Sequence, residues 1–180
     1  EGLSPAARKG RPLHGVPLAH KDMFFRLGRI SGALHLETRL VYRSSRDEIQ
    51  YYGELRWTEP PEVGLKRFLA RALYEDGGVT QVVAGDAPTL DVELVALDEV
   101  LGPPRVVRVS LVARLHDGHR MLWEETVTID RPVAAVVEGD QAVVTVEAFG
   151  AVLNAAVQSV AERVLHELAK GRPSRVGSSQ

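Results

Sequence analysis

The sequence predicts an α+β fold: a mainly antiparallel sheet with two helices, the C-terminal one long. Three observations carry this. Several segments alternate apolar and polar residues with a period of two. An Asp-Gly step joins two of them as a hairpin, and two further segments carry the stripe of an amphipathic helix. Hairpin-linked strands with helices gathered on one side define the α+β class.

The elements follow in order. Leu34, Leu36, Leu40 and Tyr42 lie among polar residues, and Ser44-Ser45-Arg46-Asp47 breaks the run as a turn. Ile49, Tyr51, Gly53, Leu55 and Trp57 then alternate with Gln50, Tyr52, Glu54 and Arg56, which predicts a strand with Tyr51 and Trp57 facing inward. Pro60-Pro61 ends it, since proline cannot donate to a ladder but is tolerated in the first turn of a helix. The helix that follows has one apolar stripe, Leu65, Phe68, Leu69, Ala72 and Leu73, and Gly77-Gly78 stops it.

Val79–Ala84 starts a run of four strands. Leu90, Val92, Leu94 and Ala96 alternate with Asp91 and Glu93, and Gly102-Pro103-Pro104 turns the chain. Val107, Val109, Leu111, Ala113 and Leu115 form the cleanest alternation in the sequence. Asp117-Gly118 is a hairpin signal, because the tight primed turn requires positive φ. Met121, Trp123, Val127 and Ile129 return, closed by Arg131-Pro132. From Ala142 to Leu168 the pattern is helical, stopping at Lys170-Gly171. A helix of about 30 residues at 1.5 Å each is roughly 45 Å long and crosses a whole sheet.

Length and composition narrow the function. With 180 residues and 44% of them hydrophobic, the chain can bury one core without covalent staples. It contains no cysteine, which excludes disulfides, cysteine-ligated metals and thiol nucleophiles. A formal charge of −2 argues against a dedicated nucleic-acid binder. No uninterrupted apolar run reaches the roughly 20 residues of a membrane span. The charge is unevenly spread, however. Residues 1–32 hold six basic residues against two acidic ones, a net of +4, which leaves −6 for the rest.

Few residues invite catalysis. His116-Asp117-Gly118-His119 offers two imidazoles and a carboxylate, but no further ligand stands out, and a solvated turn is the expectation. Lys66, Arg67 and Arg71 form a basic helix face that reads as solvated surface. Glu124 and Glu125 are adjacent on a strand, so they point to opposite faces and cannot cooperate. Glu125 shares the side of Trp123 and Val127, which suggests a sheet edge. There is no phosphate-cradling glycine loop and no serine elbow. Tyr52 and Arg56, opposite Tyr51 and Trp57, are residue types enriched at protein interfaces and are the candidate contact residues. No metal and no cofactor is expected.

Two resemblances attach to these residues. Tyr42-Arg43, then Tyr51-Tyr52-Gly53-Glu54-Leu55-Arg56-Trp57, then Pro60-Pro61, followed by the Asp117-Gly118 hairpin and the long terminal helix, resemble the ABC-type transport auxiliary lipoproteins, the PqiC-like family. The resemblance spans about residues 34–170. It implies a non-enzymatic domain, periplasmic and lipid-anchored at the outer membrane, working with MCE-domain proteins of ABC systems that move phospholipids between membranes. A homo-oligomer is compatible with it, nucleic acid is not expected, and the membrane is reached only through a lipid anchor whose cysteine this chain lacks.

The second resemblance covers residues 11–32. Arg11-Pro12-Leu13-His14-Gly15-Val16-Pro17-Leu18-Ala19-His20-Lys21-Asp22-Met23 is similar to the start of the amidase-signature hydrolases, in which the lysine matching Lys21 belongs to a Ser–Ser–Lys triad. The Gly/Ser-rich stretch that would supply the serines is missing, so amidase chemistry is not expected. Residues 1–33 therefore read as a foreign or unstructured segment, 34–170 as the domain, and 171–180 as a disordered tail.

Overall fold

In the computed structural model of the chain, the residues described are 24–32, 38–45, 48–82, 87–118, 120–134 and 141–170, with 24–32 described by backbone alone. Seven strands and two helices follow one another as β1 Phe24–Gly32, β2 Arg39–Arg43, β3 Ile49–Arg56, α1 Pro61–Ala70, β4 Thr80–Gln81, β5 Thr89–Val100, β6 Val106–Asp117, β7 Arg120–Pro132 and α2 Gln141–Lys170. The class is α+β, with most rungs of the sheet antiparallel.

β5 organises the sheet. One of its edges carries β6, which in turn carries β7 along twelve paired positions. Its other edge is shared end to end by two parallel strands: β1 pairs with Thr89–Leu94 and β2 with Asp98–Val100. β3 extends the β2 end antiparallel, and the short β4 extends the β1 end in parallel.

β1 lies inside the segment that sequence patterning separates as 1–33. Its glycines interrupt any periodicity, yet its backbone pairs with five positions of β5, so the sheet begins upstream of the expected boundary at 34. Lys21 and the rest of 1–23 lie outside the described residues, as does the expected disordered tail at 171–180.

Both helices pack on one face of the sheet. Val107, Val109, Leu111, Ala113 and Leu115 of β6 are all fully buried there, as the alternation predicts. Opposite them α2 presents Phe149, Val152, Ala156, Val160, Ala161 and Val164, each at 0% exposure. The helix is long and apolar enough to cross a bilayer by length and composition, but this stripe is spent on the sheet. Its small residues allow close approach of helix to strands. Val146, expected on the stripe, is 47% exposed, because the buried face at that end runs through Thr145, Ala148 and Phe149.

α1 begins at Pro61, whose missing N–H costs nothing at the first turn. Leu65, Leu69, Ala72 and Leu73 are buried as expected, while Phe68 sits at the rim, 42% exposed with the Arg67 guanidinium over its ring. The last turn widens into a π-helical turn, Arg71–Asp76, before Gly78 leaves it at φ +67°. At Gly77 a β-carbon would stand 2.7 Å from the Leu73 carbonyl oxygen, so only glycine fits.

Bulges overturn strict alternation in β5 and β7, as a further register shift does between β2 and β3. In β5 the pairing passes from Leu94–Leu111 to Ala96–Ser110, leaving Val95 as the extra residue. Ala96 therefore turns outward, and Leu97 and Glu99 take the inward positions. In β7 the step from Trp123 to Met121 is likewise irregular, and Met121 is 49% exposed instead of joining the core. Alternation alone cannot reveal a bulge, because an inserted residue shifts every later side chain to the other face.

Candidate functional site

The signature residues converge on two consecutive acids, Asp98 and Glu99, at the C-terminal end of β5. Both are buried, at 2% and 0% exposure, and a strand sends neighbours to opposite faces. On the helix-facing side, the Tyr52 hydroxyl donates to Glu99 Oε2 and Arg105 Nε donates to Glu99 Oε1. The Arg105 guanidinium also reaches the Tyr52 oxygen at 3.4 Å. The Tyr42 ring lies against that of Tyr52, centroids 4.9 Å apart and tilted by 53°, and the Tyr42 hydroxyl donates to Gln50. On the outer side, Arg43 Nε donates to Asp98 Oδ2.

The chemistry of this seam is electrostatic tethering. A carboxylate taken fully out of water is stable only when paired and hydrogen-bonded, and Glu99 has both a guanidinium and a phenol. Burial, reinforced by the hydrogen bond and the charge of Glu99, pushes the Tyr52 phenol up to about 12, with Arg105 opposing. The hydrogen bond to Glu99 likewise raises Arg105, so the guanidinium stays charged and the phenol stays neutral. A neutral phenol wedged between a carboxylate and a guanidinium holds β3 onto β5; it is a poor proton acceptor.

The contact residues expected from sequence are redistributed. Tyr52 and Arg56 were to share a face; they lie on opposite ones. Pairing passes from Arg39–Arg56 to Val41–Tyr51, so β3 holds more residues than β2 over that stretch and the alternation slips. Tyr52 consequently packs inward against the core. Tyr51, expected inside, is 41% exposed and lies beneath the Arg39 guanidinium, 4.6 Å from its ring centre. Arg56 is exposed on that same outer face, opposite Arg39, and makes no ion pair among the described residues. Trp57 is inward as expected, edge-on to Phe149 with centroids 5.4 Å apart. Pro60 and Pro61 open α1.

The remaining candidates fall into ordinary pairs. His116 Nε2 lies 3.0 Å from Asp91 Oδ2 on the neighbouring strand, while His119 is outside the described residues. Arg67 pairs with Glu59 at 2.5 Å and Arg71 with Glu75 at 3.8 Å. Glu124 and Glu125 do point to opposite faces: the first accepts from Arg114 at 3.0 Å, the second from the Trp123 indole at 3.1 Å. Exposed pairs of this kind contribute little stability, about 0–1 kcal/mol each. Asp98, Glu99 and Arg105 were not singled out from the sequence. The available signal was two adjacent acids, Asp98-Glu99, inside an otherwise apolar strand.

Comparison with known proteins bears on this arrangement. A family model described as the ABC-type transport auxiliary lipoprotein component matches residues 27–164, which takes in most of β1, the whole Tyr52–Glu99–Arg105 seam and nearly all of α2. The chain belongs to this family. Among curated proteins, no sequence matches the chain. Three solved structures share the fold of this auxiliary component. A Xanthomonas campestris protein assigned to the family DUF330 superposes with a TM-score of 0.70 at 20% identity, over 82% of this chain and 86% of that one. An uncharacterized protein gives 0.62 at 15% identity, over 79% and 92%. A hypothetical protein of Chlamydia trachomatis gives 0.53 at 10% identity, over 81% and 99%. The family is one of auxiliary transport components, not of catalysts, and a lipoprotein family belongs to the cell envelope.

Proposed function

We propose that this auxiliary component is a non-enzymatic periplasmic subunit of an MCE-type ABC system that moves phospholipids between membranes, held at the outer membrane by a lipid anchor. The observation that supports this most is the family match across sheet and helices, residues 27–164. The local chemistry agrees with it. Tyr42, Arg43 and Tyr52 of the signature are engaged in cross-strand tethers, which shape a surface.

The surface that meets the partner is the outer face of β2 and β3, where Arg39, Tyr51 and Arg56 lie together. Arginine and tyrosine are the types that dominate contact energies. Tyr52 serves this surface from behind by fixing the strand that carries it.

Co-purification with a tagged MCE-domain protein of the same transport system tests this. The expected result is co-elution that Arg56→Glu weakens at least tenfold. No co-elution, with the chain remaining monomeric in the presence of the MCE protein, overturns the proposal.

A further inference from the structure

The face of the sheet away from the two helices carries a groove of about 620 Å³, within the range of small-molecule sites. It sits where the β5 bulge pushes Val95 and Ala96 outward, and Asp98 lines it. Bulges recur beside binding sites because they re-aim side chains. Here the bulge has placed a carboxylate in a position that alternation would have given to an apolar residue.

Asp98 is 2% exposed, and only one of its oxygens is used. Oδ2 accepts from Arg43, whereas Oδ1 is buried without a hydrogen-bond partner among the described residues. An unsatisfied buried acceptor costs about 1–3 kcal/mol, more for a charged group, so the groove holds an acceptor that gains from meeting a donor.

The rest of the lining decides what kind of donor. Arg43 is neutralised by Asp98, and Arg108 is held by Asp130 through two parallel bonds of 2.7 Å. Among the described residues the formal charge in the groove is therefore balanced, which disfavours a net cation or anion. Hydroxyls are plentiful: Ser110 and Thr128 stand 2.9 Å apart on one wall, with Ser44 and Ser45 on the other. Each hydroxyl can donate once and accept twice; Ser44 already donates to Glu48 at 2.6 Å and one of Ser110 and Thr128 to the other, so the lining keeps spare acceptors beside its remaining donors. The floor, Val95, Ala96 and Val100, is apolar.

We propose that this groove binds a neutral polyhydroxyl group, a sugar or a sugar headgroup, with one ligand hydroxyl donating to Asp98 Oδ1. A polyol matches the lining in each respect. It is uncharged, it offers donors and acceptors on adjacent carbons, and its C–H faces suit the apolar floor. The groove and the partner surface at Arg56 are separate, so either can fail without the other.

Backbone amide NMR during titration tests it, with methyl α-D-glucopyranoside as the free probe at up to about 100 mM, where even millimolar affinity saturates. The expected result is shifts at Val95, Ala96, Asp98, Ser110 and Thr128. Asp98→Asn should weaken binding about tenfold or more, since it replaces an acceptor to a hydroxyl donor. Should that variant unfold, Thr128→Val keeps the shape of the wall and weakens binding several-fold, while Thr126→Val, one rung away, leaves it unchanged. A response only to phosphatidylcholine vesicles doped with a glucosyl diacylglycerol, weakened several-fold in Thr128→Val, supports the site and names a lipid headgroup as the source. Shifts with O-phosphoethanolamine and none with sugar overturn the proposal, as does silence with every probe.

Discussion

Asp98 and Glu99 are neighbours in sequence, both are buried, and they answer to different arginines on opposite sides of the same sheet. Arg43 reaches Asp98 from β2, whereas Arg105 reaches Glu99 from the turn before β6. The end of β5 is thereby clamped front and back. β2 and β3, which carry the outer surface at Arg39 and Arg56, hang on this clamp.

Removing Arg105 should release it. Arg105→Met leaves Glu99 fully buried with only a phenol beside it, and stripping one partner from a buried pair costs about 3–5 kcal/mol. Arg105 is about one-third exposed, so water offsets part of that loss, and about 2–4 kcal/mol is expected. Urea unfolding reads this directly. A loss below about 0.5 kcal/mol, the level of an ordinary surface change, would show that Glu99 is not held by Arg105.

Alkaline stability should depend on Tyr52. Its folded pKa of about 12 lies above the ordinary value of 10, so the folded state keeps a proton that the unfolded chain has released. The stabilisation is complete below pH 10 and is lost as pH rises through 12. Urea midpoints should fall across that window in the wild type, and Tyr52→Phe should flatten the decline. An unchanged slope in the variant counts against the assignment.

Glu125 guards the edge at β7. It sits on an edge strand, on the side of Trp123 and Val127, and an inward-pointing charge there opposes pairing with another chain. Glu125→Val should make the protein self-associate, seen as a concentration-dependent rise in light-scattering mass. A variant that stays as monodisperse as the wild type would assign the protection to another feature of the edge.

Two glycines should respond in opposite directions to the same substitution. Gly77→Ala drives a methyl into the Leu73 and Ala72 carbonyls and is expected to cost about 1–3 kcal/mol. At Gly150, on the exposed side of α2, nothing lies within 4 Å, and Gly150→Ala should stabilise by up to about 1 kcal/mol. Thermal denaturation of the two variants separates them, and equal shifts would contradict the geometry.

What could be read in advance divides along physical lines. The inward row of β6, the Gly118 turn and the 30-residue α2 were legible because burial on one face forces a period onto the chain. Where the period slips, at Val95 and between Tyr51 and Arg56, side chains were assigned to the wrong face. β1 was missed because Gly28, Gly32 and its basic residues disguise a strand defined by its backbone pairing. Tyr52 stands out by its type, but Glu99 and Arg105 lie 47 and 53 positions away, and only the folded sheet brings them together.

The single extra residue in β5 sets a rule for how this chain can change length. Deleting Val95 would remove the bulge and leave Ala96 opposite Ser110, so Leu97 and Glu99 would stay inward and Asp98 outward. An added residue beyond the bulge finds no such slack: it would exchange the faces of everything that follows, turning Glu99 out and Asp98 in. The strand can lose a residue at Val95 and keep its clamp; it cannot gain one downstream without a second, compensating change.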